Sequence, residues 1–142
     1  MLLMRYHENL GDFVHGGAMF QSPPAMRGLL KVVAFEACVR SGDRTLGNVL
    51  LLQNFDVLAI DELRAFQFQR PQALRFRRAV RLTLQHAFAD TEWWGAHARA
   101  VQATATGPMI RAVLSRFLLE EKAAPLAERV LAVSDLTRAM IR

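Results

Sequence analysis

Ala73-Leu74-Arg75-Phe76-Arg77-Arg78-Ala79-Val80-Arg81-Leu82-Thr83-Leu84 is the stretch whose periodicity decides how the chain is read. Ala73, Phe76, Val80, Leu84 and Ala87 recur at steps of three or four, the spacing of one apolar helical stripe. Pro71 opens this helix, because a missing N–H costs nothing in a first turn, and the pattern runs to Ala89. At about 100° per residue, Phe76, Val80 and Leu84 share one buried line. Arg75 and Arg78 then lie across from that line, while Arg77 and Arg81 flank it. All four guanidinium groups can reach solvent while the helix stays packed.

Working outward, the same grammar repeats. Ser22-Pro23-Pro24 reads as a cap and first turn, and the run through Ala34, Phe35 and Val39 stops at Ser41-Gly42. Asp43 is placed to cap a helix carrying Leu46, Val49, Leu50 and Phe55. Asp61 starts a short helical piece that ends before Pro71, since the residue preceding a proline is pushed out of the α region. Asp90 caps another, with Glu92, Trp93 and Trp94 in its first turn. Gly107-Pro108 opens a helix with Ile110, Val113, Leu114, Phe117 and Leu118. Pro125 opens the last, with Leu126, Val130, Val133, Thr137 and Met140.

No Asn-Gly or Asp-Gly hairpin signal occurs. Connections are short, as between packed antiparallel helices. The expectation is an all-α fold: a single helical bundle of about six to eight helices spanning residues 1–142. The stretch to Phe20 is expected to be irregular, because Gly11, Gly16 and Gly17 interrupt it.

Composition agrees with one packed domain. The 142 residues are 52% hydrophobic, well above what disordered chains show. The lone Cys38 excludes an internal disulfide framework or a Cys-based zinc site, and a reducing, cytoplasmic setting is the default. No apolar h-region follows the basic start and no run is long enough to span a bilayer, so neither a secretory signal nor a membrane segment is expected.

Charge is the informative asymmetry. Between Glu62 and Asp90 no acidic residue occurs, yet Arg64, Arg70, Arg75, Arg77, Arg78 and Arg81 do. A cluster of like charges repels itself unless an anion meets it. Phosphates are the natural partner, since guanidinium presents a planar fork of donors to their oxygens. These six arginines are the expected nucleic-acid-binding residues. A solvated or protein-facing basic surface, neutralised in the fold by Glu120, Glu121 or Glu128, is the competing reading. Phe66 and Phe68 flank the cluster, as core residues or as stacking platforms for bases.

Catalytic constellations are scarce. The sequence holds no H-E-x-x-H, Walker-type, G-x-G-x-x-G or G-x-S-x-G motif. Cys38 sits among Val33, Ala34, Phe35 and Val39, where an inert buried thiol is expected. Asp12 and His15, with His7 and Glu8 nearby, could share a metal, but the glycines between them argue against a rigid site. His86 and His97 are too far apart to pair on one helix. No enzyme activity, cofactor or metal is expected. Trp93 and Trp94 are the candidate protein-interface residues, since tryptophan is favoured at interface hot spots.

From Ser41-Gly42-Asp43-Arg44-Thr45-Leu46-Gly47, through the Arg-rich helix, to the acid–Trp element at Asp90 to Trp94, the chain resembles the small subunit of Cascade-type CRISPR effector complexes. The resemblance covers under half of the chain. It implies a non-catalytic, wholly helical subunit of an antiviral ribonucleoprotein, present in two or more copies and docked on other subunits. It also implies that Arg75, Arg77, Arg78 and Arg81 contact phosphates, helping to hold a guide RNA–target duplex or a displaced DNA strand. In such assemblies base pairing selects sequence and the protein supplies a positive channel. The alternative is a helical protein–protein adaptor or ligand-binding regulatory domain with no nucleic-acid role.

Overall fold

The computed structural model describes residues 9–15, 17–40, 44–60, 66, 68, 74–84 and 106–141. Among these, three strands and five α-helices follow in order: β1 (Asn9–Asp12), α1 (Pro23–Val39), β2 (Val49–Leu52), β3 (Val57–Ala59), α2 (Leu74–Leu84), α3 (Gly107–Leu114), α4 (Glu120–Leu131) and α5 (Val133–Ile141). Short 3-10 helices at Gly17–Gln21 and Leu46–Asn48 lead into α1 and β2. The three strands form an antiparallel sheet in the order β1-β2-β3. The all-α expectation is therefore corrected to a mixed α/β architecture.

The sheet arises where a capped helix was expected. Val49-Leu50-Leu51-Leu52 is a continuous apolar run, and periodicity alone does not separate such a run from a buried helical turn. Paired residues share a face. Leu51 lies opposite Val57, Val49 opposite Ala59, and Leu50 opposite Leu58. Val49 and Leu51 are buried in the core and Leu50 and Leu52 are half-covered, so both faces demand apolar residues and no alternation survives. The turn is hidden as well. Leu52 N–H donates to the Asp56 carbonyl at 2.8 Å across a tight loop whose last residue, Phe55, has φ 63° where glycine is usual. Strand β1 occupies part of the stretch expected to be irregular. Gly11, at φ 146°, sits where the β1–β2 register slips by a bulge.

Helix α1 is the centre of the molecule. It starts at Pro23 behind Ser22 and ends at Val39, where Arg40 turns left-handed with φ 49°. One side meets the sheet, close enough that a Cβ on Gly28 would stand 2.8 Å from Val57 Cγ2. Other buried positions on it, among them Leu29, Val32, Val33 and Ala37, share a core with Phe20, Phe76, Val80, Leu84, Met140 and Ile141. Glu36 and Arg44 are both buried and ion-paired, with Arg44 Nε 2.6 Å from Glu36 Oε1. Arg44 also donates to the Ile60 carbonyl, tying α1 to both ends of the β2–β3 hairpin.

At the far end of α1 a second cluster gathers Cys38, Val39 and Leu126 with Phe66, Phe68, Leu114, Leu118, Val130 and Val133. The last helical run is not one helix opened by Pro125. Helix α4 begins at Glu120 with Pro125 inside it, and the chain breaks at Ala132 before α5.

Candidate nucleic-acid interface

The Arg-rich helix is present over Leu74–Leu84, within the span the spacing places it in; the expected ends, Pro71 to Ala73 and beyond Leu84 to Ala89, lie outside the described residues. In α2, Phe76, Val80 and Leu84 are buried against α1, α5 and the Gly17–Gln21 turn. Arg75, Arg78 and Arg81 are consequently exposed, and Arg77 is half-buried at the edge of the stripe. Arg64, Arg70, Trp93 and Trp94 lie outside the described residues, as do His86 and the segment around Asp90.

The competing expectation placed the C-terminal glutamates against these arginines. Instead Glu120 pairs with Arg111 and accepts from Ser115 Oγ at 3.2 Å. No ion pair joins Glu121, Glu128 or any other described carboxylate to Arg75, Arg77, Arg78 or Arg81. Arg77 has a different partner: its Nη2 donates to the Ala139 carbonyl at 2.8 Å, in the last turn of α5. That carbonyl is one of the four that a helix C-terminus leaves without an intrahelical donor.

Two features of this surface were not read from the sequence. Arg138, exposed on α5 beside Ala139, adds a cation next to the residue that holds Arg77; its signal was only proximity in the fold. The second is apolar. Leu74 and Leu82 stand on either side of Arg78 at steps of four and are 78% and 58% exposed. Together with Arg77, Arg78 and Arg81 they line an open cleft of about 570 Å³. The helix thus has a buried apolar stripe and, opposite it, a cationic face carrying two leucines. On α1 the exposed positions Arg27, Lys31 and Phe35, also at steps of four, make a shorter cationic stripe that sequence reading passed over.

Asp12 and His15 close the turn after β1. His15 N–H donates to Asp12 Oδ1 at 2.9 Å, and the ring Nδ1 lies 2.8 Å from the same oxygen. That backbone bond holds the Asp12 carboxyl below its usual range. Among the described residues no three His, Cys, Asp or Glu side chains group as metal ligands. His7 and Glu8 lie outside those residues. Cys38 is buried, and desolvation pushes its thiol up to about 11 despite the nearby Arg129 charge.

Arg129 itself donates from Nε to the Cys38 carbonyl at 2.9 Å and from Nη2 to the Ala37 carbonyl at 2.5 Å. It also lies 5.6 Å from the centre of the Phe68 ring. Phe66 and Phe68 lie 6.2 Å apart, centre to centre, with their rings tilted by 58°, and both pack, half-buried, against the second core cluster.

No protein-family model matches the chain, nor does any curated protein or solved structure. Among the described residues no helix is long and apolar enough to cross a membrane.

Proposed function

We propose that the chain is a non-catalytic nucleic-acid-binding subunit that holds the sugar–phosphate backbone through Arg75, Arg78 and Arg81 on the outer face of α2. One observation carries this reading: three exposed guanidinium groups share a helix face, and no described carboxylate pairs with them. Each can give two parallel donors to a phosphate, and meeting an anion relieves their mutual repulsion. Arg77 contributes charge from the side while one of its nitrogens stays on α5. Contacts of this kind do not read bases, so binding is independent of sequence and falls steeply with salt. Holding a guide–target duplex or a displaced strand inside a larger ribonucleoprotein, as the resemblance implies, is a role of this chemistry.

The test is titration of fluorescent single strands and duplexes with the parent protein and with Arg75→Glu/Arg78→Glu. The variant is expected to keep the parent's circular dichroism and to bind at least tenfold more weakly at low salt. Equal binding by both proteins at every ionic strength overturns the proposal.

A second reading is favoured by Leu74 and Leu82. An acidic, amphipathic helix of a partner protein would meet their exposed carbons and the arginines together. It predicts that Leu74→Ser/Leu82→Ser abolishes capture of that partner and leaves nucleic-acid binding unchanged.

A further inference from the structure

Helix α2 shows solvent only two kinds of side chain. Its exposed residues are Leu74, Arg75, Arg78, Arg81 and Leu82. Leu74, Arg78 and Leu82 follow one another at steps of four, so they form one line along the helix with a guanidinium in its middle. Both leucines line the same open cleft as Arg77, Arg78 and Arg81. Eight residues of helix separate them, about 12 Å at the rise of an α-helix. Phe66 and Phe68 are half-buried against the second core cluster, which leaves the leucines as the large apolar groups of this face among the described residues.

Resting on the nucleic-acid reading above, we propose that Leu74 and Leu82 make this face selective for unpaired strands, packing against base faces while Arg75, Arg78 and Arg81 hold phosphates between them. The two forms of nucleic acid differ in what they offer a leucine. A duplex turns its base faces into the stack, so a helix lying along its backbone meets phosphate and sugar. A leucine pressed there strips water from charged groups and gains nothing. An unpaired strand splays bases outward, and each has an apolar face for a side chain to cover. The spacing of about 12 Å is more than three times the stacked rise of about 3.4 Å, so the leucines reach two different bases. The guanidiniums then meet the phosphates of the nucleotides between. Contacts to base faces read no sequence, in keeping with a backbone-binding surface. Covering about 60 Å² of carbon on the two leucines together corresponds to roughly tenfold in affinity. An anionic membrane is the poorer match. A helix lying in a bilayer surface keeps its cations on the polar side of an apolar face, whereas Arg78 stands between the two leucines.

The probes are labelled oligothymidylate, an abasic oligomer of equal length that keeps every phosphate, a mixed-sequence duplex, and phosphatidylglycerol-containing vesicles. Leu74→Ser/Leu82→Ser is expected to bind oligothymidylate about tenfold more weakly than the parent and to keep the parent's affinity for the duplex. Removing the bases is expected to cost the parent the same factor and the serine variant nothing further, because both changes delete one contact. Leu74→Met/Leu82→Met, which keeps the apolar carbon, is expected to bind as the parent does, and both variants to keep its circular dichroism. The proposal is overturned, with the arginine contacts still standing, by a serine variant that loses nothing on oligothymidylate or loses as much on the duplex. It is equally overturned if removing the bases costs parent and serine variant alike. Vesicle binding that the serines abolish while oligothymidylate binding persists overturns it in favour of a lipid surface. A parent that binds neither strand nor duplex overturns the phosphate reading itself, and this inference with it.

Discussion

Arg77 Nη2 lies 2.8 Å from the Ala139 carbonyl, so one arginine of the cationic helix also serves as the C-terminal cap of α5. A guanidinium there satisfies an orphan carbonyl and opposes the negative end of the helix dipole. Arg78, one residue on, is exposed and has no such partner among the described residues. Neighbouring arginines therefore divide between fold and surface.

That division predicts different costs. Arg77→Ala is expected to lower unfolding free energy by about 1–2 kcal/mol, between the net worth of an ordinary hydrogen bond and that of a buried one to a charged group, because this bond is exposed. Arg78→Ala is expected to stay within about 0.5 kcal/mol of the parent, as surface changes usually do. Urea unfolding of the two variants side by side makes the comparison, and equal losses would contradict the assignment.

Gly28 fixes how closely α1 approaches β3. An added Cβ would stand 2.8 Å from Val57 Cγ2 and 3.0 Å from the Val57 backbone nitrogen, neither of which is a flexible side-chain end. Overpacking of this kind costs about 1–3 kcal/mol, against about 1 kcal/mol gained in helix propensity. Gly28→Ala is expected to be net destabilising in thermal unfolding. A raised Tm would show that the sheet and helix separate freely.

Phe55 holds a left-handed conformation at φ 63° in an exposed turn. Replacing it with glycine removes the Cβ clash, worth about 1–2 kcal/mol, at about 0.5–1 kcal/mol of added unfolded-state entropy. Phe55→Gly is expected to raise stability slightly, read as a higher urea midpoint with unchanged slope. A clear loss would mean that the ring is held by contacts that outweigh the backbone strain.

Cys38 gives a pH signature. Burial raises its thiol to about 11, so between the ordinary thiol range and that value the unfolded chain has lost a proton that the native chain keeps. Fewer protons bound in the unfolded state means that stability falls as pH rises through this window and is fully retained below it. Subtracting the stability–pH curve of Cys38→Ala from that of the parent is expected to leave a decline confined to alkaline pH. A flat difference would place the thiol in contact with water.

How much of this was legible in the sequence follows from which signals are local. The buried line Phe76–Val80–Leu84, the start of α1 at Pro23 and the start of α3 at Gly107-Pro108 were readable, because each depends on residues within one or two turns. The hairpin was not. Val49 to Leu52 is apolar on both faces, and its turn uses Phe55 in place of glycine, which erased both strand signals. Helix spacing at Ile110, Val113, Leu114, Phe117 and Leu118 announced an apolar stripe, of which Leu114 and Leu118 pack inward while Val113 and Phe117 face outward. The cationic face was legible as composition, whereas the Arg77–Ala139 bond joins residues far apart in the chain and needed the fold.

The salt dependence of binding tests the central claim most directly. Each phosphate neutralised contributes about −0.9 to the slope of log K against log salt for a duplex, and about −0.7 for a single strand. Parent protein and Arg75→Gln/Arg78→Gln/Arg81→Gln, titrated onto one labelled duplex from low to physiological salt, should differ in slope by about two to three. The variant should also lose affinity evenly across unrelated sequences. Parallel slopes with equal affinities would contradict the account, because the outer arginines of α2 would then be touching no phosphate.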